Sequence, residues 1–367
     1  MISIGIYLTE RGYVPEFVLR WFIRRFSLSR LVEADSDESK QLVINGLKTG
    51  PIAENTLDAN DQHYEVPANY FKSVLGPRLK YSCCWFDNNQ STLEEAEIRM
   101  MELYIRRAKI VDGQTILDLG CGWGSLTLFL AERFPNSVIY SVSNSNDQIK
   151  FIQEKSKNMG FSHVHASVQD VNSLDLPTIF DRVISIEMFE HIRNYKLLLK
   201  KIKNILKPDG SLFVHIFCHK TAAYLYEEKG EKDWMTRNFF RGGIMPSEDI
   251  FSYFEEFNIK KTWMINGTQY TRTLNEWLRI HDESKVNILK TFKKHYDSPL
   301  IHFIDGGFSI LHVLNSLVSI MEKNGMYRTT FSHQKIMLTK SSESTELFDG
   351  RHGRTRTADL LHVKQAL

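Results

Sequence analysis

The sequence predicts an α/β fold built on a mainly parallel sheet, and two observations support this prediction. The first is an alternation of short apolar runs with helical segments between residues 115 and 217, which is the pattern of successive strand-helix-strand units. The second is a glycine-rich loop, Cys121-Gly122-Trp123-Gly124, directly after the first apolar run. The predicted strands are TILDLG (115–120), SVIYSVS (137–143), HVHASV (163–168), DRVISIEMF (181–189) and SLFVHIF (211–217).

Helices with recognisable ends precede and separate these strands. Residues 91–110 predict a capped helix, with Ser91 or Thr92 as N-cap, glutamates in its first turn and arginines near its end. Further helices are predicted at 125–134, 146–160, 194–210 and 247–257, and a largely helical region at 274–323. Two late strand candidates, NIKKTWMING (258–267) and SHQKIMLTK (332–340), complete the sheet as a hairpin after five parallel strands.

The composition is that of an ordinary globular enzyme. Hydrophobic residues make up 42% of the 367 residues and charged residues 25%, with a formal net charge of +2, which argues against a disordered or nucleic-acid-coating protein. The four cysteines (Cys83, Cys84, Cys121 and Cys218) show no CxxC spacing, so we expect a reducing, cytoplasmic environment. No apolar run approaches the roughly 18 to 20 residues that span a bilayer.

The two ends of the chain differ from its middle. Residues 14–30 interleave aromatic and aliphatic residues with arginines. This pattern fits a helix that docks on the protein with its arginines exposed to solvent, or a helix in peripheral contact with an anionic membrane. We favour the first interpretation. We expect residues 1–60 to form a helical extension and linker, 61–340 the main domain, and 341–367 a disordered tail.

The glycine loop predicts a site for a nucleotide-like cofactor. Gly120, Gly122 and Gly124 follow a strand and precede a helix, so the backbone can approach a ligand closely and the helix offers its N-terminal amides. The spacing GxGxG differs from the GxGxxG of dinucleotide sites. Asp118, just before the loop, suits the cationic amino acid part of S-adenosylmethionine better than a pyrophosphate.

The ends of the next two strands carry further candidate cofactor ligands. After the second strand, Asn144, Asp147 and Gln148 are alternatives for binding ribose hydroxyls. After the third strand, Gln169 and Asp170 lie where a carboxylate can bind an adenine amino group, with an ordinary turn as an equal alternative for Asp170.

An ordered series of motifs resembles the cyclopropane-fatty-acyl-phospholipid synthase superfamily and, more closely, the plant coclaurine N-methyltransferase-like proteins. The motifs are NDQHYEVP, KYSCCWF, ILDLGCGWGSLTL, SNSNDQ, IEMFEHIRNY, FCHK, DWMTRNFF, GGIMPS and QYTRTLNEW. The resemblance covers about residues 50 to 340. It implies a class I methyltransferase with a Rossmann-like, seven-stranded sheet, helical cap insertions at about 218–258 and 271–325, and S-adenosylmethionine as cofactor.

The resemblance also implies where the cofactor binds. It places the cofactor against Tyr81 and Ser82, the loop of Gly120, Gly122 and Gly124, the segment from Ser143 to Gln148, and Gln169 with Asp170. Apart from Tyr81 and Ser82, these are the positions that the residue pattern itself indicates.

Two sets of acceptor-site residues are implied, and both are present in this sequence. In N-methyltransferases similar to this chain, the residues matching Glu187, Glu190 and His191 bind and deprotonate an amine. In the synthases, residues matching Cys83, Glu190, His215 and Tyr270 hold a bicarbonate base that assists methyl transfer to an unsaturated lipid. Those synthases typically have glycine where Glu187 stands, so we favour methylation of a small-molecule amine.

Other functions have less support. The IEMFEHIR segment (186–193) holds only one histidine, and no histidine nearby has the spacing of a zinc site, so we expect no metal. Nucleic acid is not an expected partner, because the core contains no basic stripe with interleaved aromatic residues.

Overall fold

The computed structural model describes residues 8, 9, 11, 13–23, 25, 37–54, 67–227, 242–307, 310 and 331–340. Its strands are β1 (Thr115–Leu119), β2 (Val138–Ser143), β3 (Val164–Val168), β4 (Phe180–Ile186), β5 (Leu206–His219), β6 (Tyr224–Leu225), β7 (Ile244–Met245), β8 (Phe257–Asn266) and β9 (Phe331–Lys340).

The predicted seven-stranded sheet is confirmed. Its order is β3-β2-β1-β4-β5-β9-β8, and β6 pairs separately with β7. The strands β1 to β5 are parallel, whereas β9 runs antiparallel to both β5 and β8. The carboxyl ends of the five parallel strands therefore meet at one edge, where sheets of this kind bind ligands.

Helices cover both faces of the sheet. They are α1 (Asp37–Gly46), α2 (Ala68–Val74), α3 (Leu93–Ala108), α4 (Ser125–Arg133), α5 (Asn146–Asn158), α6 (Tyr195–Ile205), α7 (Thr268–Glu283) and α8 (Lys285–Phe292). The predicted start of α3 is explained by a capping box, in which Thr92 and Glu95 bond each other's backbone amides.

Three large apolar clusters and one small cluster of Cys121, Ile149 and Ile152 hold these layers together. One joins α6 and the segment 43–53 to the sheet, a second joins α3 and α4 to the sheet, and a third joins α2, α7 and α8 into a cap. Helices α7 and α8 of this cap fall largely within the expected insertion at 271–325, whereas α2 comes from residues 68–74. Residues 308, 309 and 311–325 of the insertion lie outside the described residues.

The prediction of a helix at 247–257 is wrong. Only a short 3-10 turn forms there, at Ile250–Tyr253, and Phe257 already begins β8. The aromatic spacing suggested a helix, but Phe251, Phe254 and Phe257 are buried in the same cluster as the sheet core. Burial of these rings in the tertiary structure explains the spacing without a helix.

The segment 37–54 is more than a linker. Ile44, Leu47 and Ile52 are each 1% exposed and belong to the core cluster around α6. The carbonyl oxygen of Ile52 accepts hydrogen bonds from the amides of Arg193 (2.7 Å) and Asn194 (3.1 Å). This part of the predicted extension is therefore integral to the main domain.

The N-terminal basic segment forms a helix over residues 16–23. Ile23 is buried and Leu19 packs against the cap cluster, whereas Phe17 and Trp21 are exposed. These contacts fit the docking interpretation, and membrane contact stays a prediction. Among the described residues, no helix combines the length and apolarity needed to cross a membrane. The tail 341–367 and the motif DWMTRNFF lie outside the described residues.

Candidate active site

The glycine loop is held open by its backbone conformation. Gly120, Gly122 and Gly124 have φ values of +84°, +52° and +78°. Residues with a Cβ atom rarely adopt these left-handed conformations. A Cβ atom on Gly120 would lie 2.7 Å from Met188, and one on Gly124 would lie 2.5 Å from Ile152. The loop thus packs directly against the turn after β4 and against α5, and larger residues would break this packing.

Asp118 connects the loop to the helix that follows it. Its carboxylate is buried and accepts a hydrogen bond from the hydroxyl of Thr127 at 2.7 Å. Burial raises the pKa of Asp118 to about 6, while the bonds from Thr127 lower it. This contact fixes the start of α4, a structural role that the sequence interpretation did not include.

The candidate ribose ligands lie where β2 ends. Ser143 donates a hydrogen bond to the side-chain oxygen of Gln148 at 2.7 Å, and both side chains are buried. The amide nitrogen of the Gln148 side chain is also buried and has no hydrogen-bond partner within the described part of the chain. Asn144 lies between them in sequence and is half-buried.

The candidate adenine ligands lie beside them, after β3. The amide of Gln169 donates to the carbonyl of Ser143 at 2.9 Å, which joins the two loops. Asp170 caps a short 3-10 turn, Val171–Ser173, by accepting the amide of Asn172 at 2.7 Å. The cofactor residues expected after β1, β2 and β3 therefore meet at one edge of the sheet.

The segment that contains Tyr81, Ser82 and Cys83 runs between this edge and the cap. Its neighbours Cys84 and Phe86 donate backbone hydrogen bonds to Thr273 (3.0 Å) and to Gln269 (2.7 Å) on α7. Tyr81 packs against Phe71 and Trp277 with centroid distances of 5.3 and 5.6 Å. Only the family resemblance had indicated Tyr81 and Ser82, because an apolar and aromatic run carries no local sign of a ligand site.

Glu187 stands where β4 ends and has a left-handed backbone with φ +50°. Its amide donates to the carbonyl of His215 at 2.7 Å, and its carboxylate accepts the amide of Cys83 at 2.9 Å. The expected strand 181–189 therefore stops at Ile186. The left-handed turn directs the chain into the 3-10 turn Phe189–His191, which carries Glu190 and His191.

Glu190 is fully buried at the floor of this turn. One carboxylate oxygen accepts the amide of Phe217 at 2.7 Å, and the other is buried with no hydrogen-bond partner among the residues that the structure describes. Burial, together with the negative charge of Glu187, raises the pKa of Glu190 well above its usual value. Glu190 therefore takes up a proton more readily than an exposed glutamate does.

His191 is neutral under ordinary conditions. Burial lowers its pKa to about 4, although the charge of Glu187 opposes this shift. This shift leaves the imidazole lone pair free at pH 7, and it also makes His191 a weaker base than an exposed histidine.

The remaining predicted residues lie around the same turn. Cys83 and His215 are fully buried, and His215 forms a hydrogen bond of 2.8 Å through Nδ1 with the hydroxyl of Tyr104 on α3. Burial raises the pKa of Tyr270, and the charges of Glu187, Tyr81, Cys83 and Glu190 raise it further, so these groups are electrostatic neighbours. Among the described residues, no group of histidine, cysteine or acidic side chains has the arrangement of a metal site.

Two buried residues in this region were missed by sequence reasoning. Tyr104 lies on α3 and contacts His215, and Lys80 lies directly before the Tyr81 segment. Tyr104 belongs to no recognisable local pattern. Lys80 begins the KYSCCWF motif, but the sequence does not show that its side chain is buried.

Comparison with known proteins identifies the family of the chain. The family model described as mycolic acid cyclopropane synthetase matches residues 53–307. The (S)-coclaurine N-methyltransferase of Thalictrum flavum subsp. glaucum is 40% identical over 291 residues, which cover 77% of this chain and 80% of that protein. The cyclopropane-fatty-acyl-phospholipid synthase of Escherichia coli strain K12 is 27% identical over 219 residues, covering 59% of this chain and 54% of the synthase.

A solved structure extends the similarity to the fold. The crystal structure of a coclaurine N-methyltransferase bound to N-methylheliamine and SAH is 32% identical in sequence, with a TM-score of 0.85. It covers 92% of this chain, and this chain covers 99% of it. The chain therefore belongs to the mycolic acid cyclopropane synthetase family and is a methyltransferase.

Proposed function

We propose that this chain transfers a methyl group from S-adenosylmethionine to the nitrogen of a small-molecule amine. The observation that carries the proposal is the carboxylate of Glu187, which accepts the amide of Cys83 at 2.9 Å beside the buried Glu190. The similarity to coclaurine N-methyltransferases in sequence and in structure supports the same assignment.

Several residues fit the cofactor. The glycine loop leaves room for close approach, and the side-chain amide of Gln148 has a buried donor that a ribose hydroxyl can satisfy. Tyr81, Ser82, Asn144, Gln169 and Asp170 complete the proposed binding surface. When bound, S-adenosylmethionine supplies a methyl group that its sulfonium already activates.

The protein's main tasks are then to bind the acceptor, to take its proton and to exclude water. An amine is protonated near pH 7 and has no free lone pair, so a base must remove a proton before methyl transfer. We assign attraction of the cation to Glu187 and proton acceptance to Glu190 and His191, because burial makes the Glu190 carboxylate a stronger base and keeps the His191 imidazole neutral.

A second candidate function is methyl or methylene transfer to an unsaturated acyl lipid, with bicarbonate as base. The observation in its favour is that Tyr270 packs against the buried cluster that contains Cys83, another residue of the implied bicarbonate site. Against it, the Cys83 amide is already taken by Glu187. We therefore favour the amine.

The test is an assay of purified protein with methyl-labelled S-adenosylmethionine. One arm contains primary and secondary amines, and the other contains vesicles of unsaturated phospholipid with and without added bicarbonate. We expect label in an amine, and E187Q should lose most of that activity. H215A separates the two chemistries, because it should impair lipid alkylation more than amine methylation. Label found only in the lipid would overturn the proposal.

A further inference from the structure

Lys80 is buried beside the proposed site, but it is neither a proposed cofactor ligand nor a proposed acid-base residue. Its exposure is 3%, and it is the only lysine in the described part of the chain that is buried to this extent. Removing a charged side chain from water costs several kcal/mol unless hydrogen bonds or opposite charges compensate, so its contacts carry information about its role.

The amino group of Lys80 binds the segment that follows it. It donates to the hydroxyl of Ser82 at 2.5 Å and to the carbonyl of Cys83 at 2.7 Å. It also lies 5.3 Å from the ring centroid of Tyr104, within reach of a cation–π interaction. A single side chain thus fixes the backbone of Cys83 and the hydroxyl of Ser82 at the same time.

A buried carboxylate holds the start of the same segment. Glu97 on α3 is fully buried and accepts the amides of Arg78 at 3.0 Å and Lys80 at 3.1 Å. Its carboxylate would lie 2.6 Å from a Cβ atom on Gly76, so a larger residue there would displace the Glu97 side chain. Burial raises the pKa of Glu97 to about 7, whereas these amides and the positive charge of Lys80 lower it.

The far end of the segment reaches Glu187. The carbonyl of Cys83 is held by Lys80, and the amide of the same residue donates to the carboxylate of Glu187. Lys80 therefore holds the carbonyl of the residue whose amide bonds the Glu187 carboxylate.

We propose that Lys80 is a positioning residue, which orients Ser82 towards the cofactor and the amide of Cys83 towards Glu187. This inference rests on the proposed function, since it assumes that Ser82 binds the cofactor and that Glu187 binds the acceptor. Lys80 links the two half-sites through three consecutive residues.

The test compares K80M, which keeps the length of the side chain but removes its donors, with K207M. Lys207 is also paired, with Asp181 at 2.7 Å, but that pair lies at the start of β4, at the opposite edge of the sheet. Binding of S-adenosylhomocysteine is measured by calorimetry, and kcat by methyl transfer. We expect K80M to weaken binding about tenfold and to lower kcat about tenfold, and K207M to change each less than about twofold.

A double-mutant cycle separates positioning from general structural damage. If Lys80 acts on turnover through Cys83 and Glu187, K80M should lower kcat by at most about twofold in an E187Q background. Where K80M does not fold, K80Q, which retains a donor, is compared in both backgrounds instead.

Two results would overturn the inference. One is binding and kcat within twofold of the wild type in the Lys80 variant. The other is an equal loss of kcat in both backgrounds, which would indicate a structural role alone. Wild-type protein that fails to bind S-adenosylhomocysteine would instead contradict the proposed function, so the two failures are distinguishable.

Discussion

The left-handed backbone at Glu187 decides which residue types its turn accepts. Glycine adopts a φ of +50° without strain, whereas other residues need compensating contacts. Here the amide of Glu187 bonds His215 and its carboxylate bonds Cys83, so the strained conformation is held by specific partners. The same position therefore suits either glycine or a side chain that is bound on both sides.

Replacing Glu187 tests this view. The free energy of unfolding of E187G should lie within about 1 kcal/mol of that of the wild type, because glycine adopts this backbone conformation without strain. The rate of amine methylation should fall at least about a hundredfold. Added formate or bicarbonate should restore part of the rate, because a small anion can bind the vacated Cys83 amide. E187Q, which fills the space, serves as control and should show no rescue. Full amine methylation by both variants would contradict the role of Glu187.

Glu97 should make stability depend on pH. Its pKa is raised from 4.5 to about 7, so the folded state holds a proton that the unfolded chain releases between these values. Folding stability should therefore fall as pH rises through this window, by up to about 3 kcal/mol for this group. E97Q removes this dependence. Urea unfolding of both proteins at pH 5 and pH 8 should show E97Q gaining stability relative to the wild type at the higher pH.

At the level of elements, the turns that follow successive strands are bound to one another. The loop after β1 donates its Gly120 and Cys121 amides to the carbonyl of Val142 on β2, and the loop after β3 donates to Ser143. The glycine loop also contacts Met188 in the turn after β4. The cofactor half and the acceptor half of the proposed site are thus packed against each other without an intervening layer.

The glycines of the loop should differ in their tolerance of alanine. Gly122 has no atom within 4 Å of an added Cβ, so G122A should cost only the backbone strain of about 1 kcal/mol. G124A adds a clash with Ile152 at 2.5 Å to the same strain. Calorimetry should show S-adenosylhomocysteine binding weakened at least about tenfold in G124A and much less in G122A. Equal losses would mean that backbone conformation alone sets the requirement.

At the level of the whole molecule, the segment before the main domain belongs to its core. Residues 47–54 bridge two site turns: the side chain of Asn172 exchanges hydrogen bonds with the backbone of Ala53, and the amides of Arg193 and Asn194 bond Ile52. Since these turns follow Asp170 and His191, the segment supports both halves of the proposed site. We propose a domain boundary before residue 37 in place of one at residue 60.

Truncation separates these boundaries. Removing residues 1–36 should leave a folded protein that binds S-adenosylhomocysteine, because Thr9 and Ile23 are the buried residues in the described part of this stretch. Removing residues 1–54 also deletes Ile44, Leu47 and Ile52, each 1% exposed, at a cost of about 1.5 to 3 kcal/mol apiece. That total is comparable to the stability of a typical domain, so thermal unfolding should show a loss of cooperative folding. Cooperative thermal unfolding of the protein that lacks residues 1–54 would show instead that residues 37–54 are a linker outside the core.

The sequence alone determined the order of strands and helices, the glycine loop and the family. These features depend on local signals: apolar periodicity, capping residues such as Thr92, and motifs whose members are close in the chain. For the same reason β1 and β2 were predicted to within one residue at each end. The aromatic spacing at 250–257 shows the limit of such signals, because buried loop residues imitated a helix.

Only the tertiary structure decided how the site is assembled. Cys83 and Glu187 are 104 residues apart, and Tyr104 and His215 are 111 apart, so no local pattern records that they touch. The same holds for Lys80, whose burial beside Ser82 and Cys83 depends on how α3 and the cap enclose the segment. Burial also sets the pKa values of Glu190 and His191, because desolvation depends on every element that covers a group.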